Sequence, residues 1–183
     1  MERIFGSEHF PKNIIHPVVA LGNFDGVHIG HKKIIETALL KAKKIGGKSV
    51  VYTFNPHPVR LLSPSEAPPL LQTLNQKLNS IEKLGVDVAI VESFTQEFAN
   101  LDAVLFFETI LVNNIRAKEL IVGYDFTCGM RRKGTIELLE KLGVAHGVKI
   151  NVVDAQFLGD TLISSTNIRR LLEHGDIKSA NLL

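Results

Sequence analysis

The chain has 183 residues, 45% of them hydrophobic and 22% charged, with a formal net charge of +2. This is the length of one ordinary domain with core enough to fold without covalent staples, and a single cysteine, Cys128, excludes an intramolecular disulfide framework. The charge excess is too small for a nucleic-acid footprint, and the most apolar stretch, residues 103–112, is broken by Glu108 and too short to span a bilayer. The opening residues Met1-Glu2-Arg3-Ile4-Phe5-Gly6 carry charge and no apolar run, so no signal peptide is expected. A cytoplasmic protein without membrane or nucleic-acid partners is the expectation.

Residues 17–21 form a β-branched, apolar run that predicts a buried strand. After it comes a glycine-spaced turn and then a helix over 31–45, with Ile34, Ile35, Ala38, Leu39 and Ala42 on one face and Gly46-Gly47 as its stop. A second strand is predicted over 49–54. The segment 56–69, which holds five of the seven prolines, is expected to be a long loop leaving that strand's end. A helix over 74–84, ended by Gly85, precedes a strand over 86–91, and Asp102 can cap a helix reaching Val112. Strands over 120–122 and 148–153 bracket a helix over 133–143, and two last helices begin at Ser164 and Asp176. Continuous apolar strands alternating with amphipathic helices predict an α/β fold, a Rossmann-like, doubly wound parallel sheet covered on both faces.

Four segments at predicted strand ends carry the chemistry. Gly22-Asn23-Phe24-Asp25-Gly26-Val27-His28-Ile29-Gly30-His31 joins the first strand to the first helix, where backbone N–H groups and a helix N-terminus suit a phosphate. Its spacing is neither a dinucleotide fingerprint nor a Walker A loop. His28 and His31, three apart, can face one ligand; a structural metal pair and plain capping residues are the other readings. In Thr53-Phe54-Asn55-Pro56-His57-Pro58, two prolines set the exit direction, and Asn55 and His57 stand at a strand's carboxyl end. A rigid turn with incidental polar residues is equally open for His57. Gly123 to Gly134 brings Tyr124, Asp125, Phe126, Arg131, Arg132 and Lys133 together, a platform for a flat ring beside cations for phosphates, or else a solvated basic loop. Cys128, with no Cys or His neighbour, reads as a small filler. Finally, Ile163-Ser164-Ser165-Thr166-Asn167-Ile168-Arg169 offers hydroxyls at a helix N-terminus, with Arg169 one turn along, for capping or for phosphate contact.

In this order the four segments resemble the adenylyltransferase module of the prokaryotic bifunctional riboflavin kinase/FAD synthetase family, in the His-x-Gly-His nucleotidyltransferase superfamily. The His-x-Gly-His tetrad is widely shared; the Phe-Asp-Gly-Val-His lead-in and the Ser-Ser-Thr-x-Ile-Arg close are more specific. The resemblance implies AMP transfer from ATP to FMN, giving FAD and pyrophosphate, with Mg²⁺ and no covalent intermediate. It implies catalytic roles for His28, His31 and Arg169. ATP contacts would fall to Gly22, Asn23, Phe24, Asp25, Gly30, Ser164, Ser165 and Thr166, and FMN contacts to Asn55, His57, Asp125 and Phe126. No metal ligand is assigned. The family often has an aromatic where Cys128 stands. The resemblance covers 1–183 as one module, with the riboflavin kinase domain expected outside this chain. Two other readings stay in play: a related nucleotidyltransferase using pantetheine phosphate, nicotinamide mononucleotide or glycerol phosphate, and a non-catalytic flavin or nucleotide sensor.

Overall fold

Six strands pair side by side in one all-parallel sheet: β1 (Glu2–Phe5), β2 (Pro17–Leu21), β3 (Lys48–Asn55), β4 (Val88–Ser93), β5 (Glu119–Gly123) and β6 (Lys149–Val153). In the computed structural model, which describes residues 1–183, their order is β1-β4-β3-β2-β5-β6. Because successive strand side chains point to opposite faces, the apolar run of β2 serves two cores at once. Val18 and Ala20 join Val51 and Ile121 beneath Ile35, Ala38 and Ala42 of α1 (Ile29–Lys44). Val19 and Leu21 join Val50, Tyr52, Ile90 and Leu120 on the other face, against Phe106, Phe107, Ile110 and Leu111. Full burial of a side chain of this size contributes roughly 1.5–3 kcal/mol, so the continuous apolar run, not strict alternation, is what a sheet covered on both sides requires.

The remaining helices are α2 (Pro58–Leu62), α3 (Leu74–Lys83), α4 (Gln96–Ala99), α5 (Ala103–Leu105), α6 (Ile136–His146), α7 (Ser165–Glu173) and α8 (Ile177–Ala180). A short antiparallel hairpin, β7 (Phe157–Leu158) with β8 (Thr161–Leu162), precedes α7. From β2 the chain steps through β3 and β4 toward one edge and then returns to place β5 and β6 on the other side of β2. The order therefore reverses between β2 and β5, and the crevice above that point is where ligands bind in open α/β sheets.

Several boundaries depart from the sequence reading, each for a local reason. The helix expected over 31–45 begins at Ile29, because the His28 Nδ1 accepts the His31 N–H at 3.3 Å and caps it. The expected loop over 56–69 is partly helical: His57 caps α2 by accepting the Val59 N–H at 3.3 Å, and Pro64–Glu66 makes a 3₁₀ turn. Asp102 caps α5 through Val104 N–H at 2.8 Å, but the turn then widens into a π-helical segment, Phe106–Asn114. Thr135, not Lys133, caps α6, which runs through Gly143 to His146. Gly143 does not stop the helix; it lets the helix approach β6, where a Cβ would lie 2.8 Å from Ile150 Cγ1. Strand β1 has no expected counterpart. It is anchored by the turn after it, whose Ser7 N–H donates to the buried Glu92 carboxylate at 3.1 Å, while Tyr52 Oη donates to the same oxygen at 2.7 Å.

Candidate active site

A cavity of about 770 Å³ opens at the carboxyl ends of β2, β3 and β5, and its two ends differ in chemistry. The polar end is built from the turn after β2 and the start of α7. Gly22 N–H still donates to Tyr52 O at 3.1 Å, but beyond it Phe24, Gly26 and Val27 all take positive φ, at 51°, 90° and 41°. Such backbone is uncommon for a phenylalanine and rarer still for a β-branched valine. A side chain at Gly26 would in addition strike Leu71 Cδ1 at 2.8 Å. The surroundings must hold this turn, and they do so through Asp25. Its carboxylate, 5% exposed, accepts the Leu71 N–H at 3.1 Å and the Gln72 N–H at 3.2 Å, and pairs with the Arg169 guanidinium. The Ser165 hydroxyl donates to the Asp25 carbonyl at 2.8 Å, while Ser164 Oγ accepts the Asn167 N–H at 3.2 Å and caps α7.

His28 and His31 are stacked, with ring centroids 3.6 Å apart and planes inclined by 19°. Burial holds the His28 imidazole down at about 4, against the pull of the Asp25 carboxylate. Burial also pushes His31 well below the ordinary 6.5, reinforced by the neighbouring His28 and Lys77. Both rings are therefore neutral at pH 7, and His31 Nδ1 is buried without a hydrogen-bond partner. A neutral imidazole donates one N–H, which suits an incoming phosphoryl oxygen.

The aromatic end lies below Phe54, Phe94, Phe98 and Phe106. Phe54 meets Phe94 and Phe98 with centroids 5.6 and 5.7 Å apart, and Phe98 meets Phe106 at 5.9 Å, all edge to face. Pairs of this geometry add roughly 0.5–1.5 kcal/mol beyond area burial. Phe126, Met130 and Cys128 complete this end, the last with its thiol pushed up to about 12 by burial, which fits a filler rather than a nucleophile. Above them, Arg132 Nε donates to Thr127 Oγ1 at 2.9 Å, and Cys128 and Gly134 bridge.

All but one of the expected site residues line this one cavity: Gly22, Asn23, Phe24, Asp25, His28, Gly30, His31, His57, Asp125, Phe126, Ser164, Ser165, Thr166 and Arg169. Asn55 does not; it is exposed at the end of β3 and outside the lining. Arg169 lines the cavity with its Nε donating to Pro69 O at 2.7 Å and its Nη2 to Asp25, whose carboxylate also holds the Leu71 and Gln72 N–H groups. Sequence reasoning missed the wall of phenylalanines, although Phe94 and Phe98, four apart just after a strand, were a usable signal. It also missed Lys77 on α3. That side chain is 8% exposed, and its ammonium donates to Asn23 O at 3.1 Å, Thr53 Oγ1 at 2.9 Å and Phe54 O at 3.3 Å.

No group of three or more His, Cys, Asp or Glu side chains is placed to hold a metal ion, and no helix is long and apolar enough to cross a membrane.

A protein-family model described as FAD synthetase matches residues 11–167. The bifunctional riboflavin kinase/FMN adenylyltransferase of Bacillus subtilis (strain 168) is 37% identical over 169 residues, covering 91% of this chain and 52% of that protein. The protein of the same name from Escherichia coli (strain K12) is 35% identical over 166 residues, with 91% and 53% covered. That of Buchnera aphidicola subsp. Acyrthosiphon pisum is 32% identical over 183 residues, covering 100% and 58%. The chain thus spans little more than half the length of these curated relatives. Among solved structures, one described as a macrolide-efflux protein from Streptococcus pneumoniae superposes with a TM-score of 0.85 at 28% identity, over 100% of this chain and 60% of that one. A pantothenate synthetase from Thermus thermophilus shares the fold at a TM-score of 0.58 and 13% identity, over 98% and 79%.

Proposed function

From the premise that this chain belongs to the FAD synthetase family, we propose that it transfers the adenylyl group of ATP to FMN, releasing pyrophosphate. The observation that carries this reading is one cavity with two unlike ends, glycine- and imidazole-lined at one and aromatic at the other. An acceptor that is both a flat ring and a phosphate ester matches both ends, whereas an aliphatic phosphate such as glycerol phosphate would leave the phenylalanine wall unused.

An oxygen of the FMN phosphate attacks the α-phosphorus of ATP; a new P–O bond forms, the α–β P–O bond breaks, and pyrophosphate leaves with the electron pair. The second pKa of a phosphate monoester is about 6, so the nucleophile is already ionised at neutral pH and no strong base is required. The chain's work is positioning and charge stabilisation, and positioning alone can be worth roughly 7–11 kcal/mol. His28 and His31, neutral before substrate binds, offer N–H donors to the reacting phosphoryl group, and the turn at 23–25 offers backbone N–H groups. Ser165 and Thr166 flank the same end from α7, and Asp125 and Phe126 border the flavin. Asn55 and His57 stay in the reading as outer contacts at the end of β3. Arg169 acts through Asp25, holding the turn that meets the phosphates. Mg²⁺ when bound would neutralise phosphate charge. With Asp25 engaged and no protein cage present, the donor set fits an ion carried in on the polyphosphate, with Asp125 or Asp154 as nearby oxygen donors. Riboflavin kinase chemistry is assigned to a separate domain of the whole protein, and the cytoplasm is the proposed location.

Chromatographic detection of FAD after incubating this chain with FMN and Mg-ATP tests the reading. FAD and pyrophosphate in equal amounts are expected, with no conversion of riboflavin in a parallel reaction. Binding of FMN and ATP without pyrophosphate would leave only a sensor, and turnover with pantetheine phosphate or nicotinamide mononucleotide instead of FMN would reassign the acceptor.

A further inference from the structure

Lys77 stands apart from every motif in the chain, yet it is among the most deeply buried charges in the molecule. It rises from the second turn of α3, a helix closed at its start by a capping box between Thr73 and Gln76. Its ammonium reaches beneath the turn after β2 and uses all three of its donors, on Asn23 O, Thr53 Oγ1 and Phe54 O. Thr53 Oγ1 donates in turn to Asn23 O at 3.0 Å. The exits of β2 and β3 are thereby fastened to one point directly behind the polar end of the cavity.

A neutral donor could make such bonds without the cost of burying a charge. Two buried charges and one half-buried charge meet here: Asp25 is negative, Lys77 and the half-buried Arg169 are positive, and Arg169 already pairs with Asp25. One positive charge is left over. The titratable groups facing it are Asp25 from the turn, His31 from α1 and His57 from the start of α2, and both imidazoles are held down in part by the Lys77 charge. This local positive charge lies directly behind a phosphate-suited turn, whose Asn23 carbonyl it holds.

We propose that Lys77 is a positioning residue for the nucleotide: its ammonium pins the Asn23 turn to the end of β3 and holds a buried positive charge that bound polyphosphate balances. This rests on the adenylyl-transfer reading above. In the free protein, burial pulls the ammonium down to about 8, opposed by the Asp25 carboxylate. An arriving polyphosphate restores the charged form, so nucleotide binding becomes coupled to proton uptake on the alkaline side of neutrality.

The test is calorimetric titration of the chain with α,β-methylene ATP and Mg²⁺, without FMN, at about pH 8.5 in two buffers of different ionisation enthalpy. Wild-type protein should take up roughly half a proton or more per nucleotide bound. Lys77→Arg keeps the charge at every accessible pH; it should bind within a few-fold of wild type with no uptake at that pH. Lys77→Met should bind at least about tenfold more weakly. In steady state, the wild-type KM for ATP should rise above about pH 8 while that of Lys77→Arg stays flat. Binding by wild type without proton uptake overturns the assignment of Lys77 alone, even if Lys77→Met fails to fold, as does undiminished binding by a folded Lys77→Met. No binding of the analogue to wild type overturns this inference together with the adenylyl-transfer reading.

Discussion

At the polar end of the cavity Asp25 ties together residues from two distant places in the chain, Leu71 with Gln72 and Ser165 with Arg169 of α7, through directional bonds to a strained turn. At the aromatic end Phe54 meets Phe94 and Phe98, and Phe98 meets Phe106, edge to face. The first arrangement fixes atoms to within hydrogen-bond tolerance but fails abruptly when one partner goes. The second tolerates exchange of shape at modest cost. A reacting phosphoryl group needs the first kind of support, and a flat ring that only has to be held needs the second.

The sharpest break is at Asp25. Asp25→Asn leaves the Arg169 guanidinium buried without its counter-charge, and about 3–5 kcal/mol of stability should be lost in urea unfolding. A loss below about 1 kcal/mol would mean that the pair is solvated and does not hold the turn. Next, His31→Ala should lower kcat by roughly 10²–10³-fold with a smaller change in the KM for ATP. Turnover surviving within about twofold, worth roughly 0.4 kcal/mol, would remove His31 from the chemistry.

Acid should weaken the polar end and spare the aromatic one. Because the folded protein keeps His28 neutral down to about 4 while the unfolded chain protonates near 6.5, the unfolded state binds more protons between those values. Stability is thus lost as pH falls from 6.5 toward 4, by about 2 kcal/mol at pH 5 from this group, and His28→Gln should flatten the slope of unfolding free energy against pH. At the aromatic end, Phe98→Leu should raise the KM for FMN by up to about tenfold and leave the KM for ATP alone. An equal rise in both would show that the two ends are not separable. The smallest effect is expected at Cys128, where alanine should change kcat/KM less than twofold and alkylation of the native thiol should be slow at neutral pH.

The two ends also differed in how far they could be foreseen. The strand–turn–helix order, the parallel sheet and the polar end were legible because glycines, histidines and hydroxyls stood in short contiguous runs at strand ends. The aromatic end was not, since its four phenylalanines come from β3, the loop after β4, α4 and the π-helical segment, and only the packed chain brings them together. Lys77 was hidden for a related reason. On an amphipathic helix a lysine reads as solvent-facing, and only the crossing of α3 behind the turn buries it. Strand β1 escaped notice because four residues with two charges give too little pattern, its place being set by pairing with β4.

The pairing of Asp25 with Arg169 spans 144 residues of chain. On a ribosome adding about 5–20 residues per second, that separation is roughly 7–30 s of synthesis. Strands β2 and β3 with α1 can gather from the first third of the chain, but the carboxylate has no guanidinium to meet until α7 has emerged. The nascent chain therefore carries a sheet before the turn at its polar end is held, and that turn is fastened late, with the arrival of one arginine.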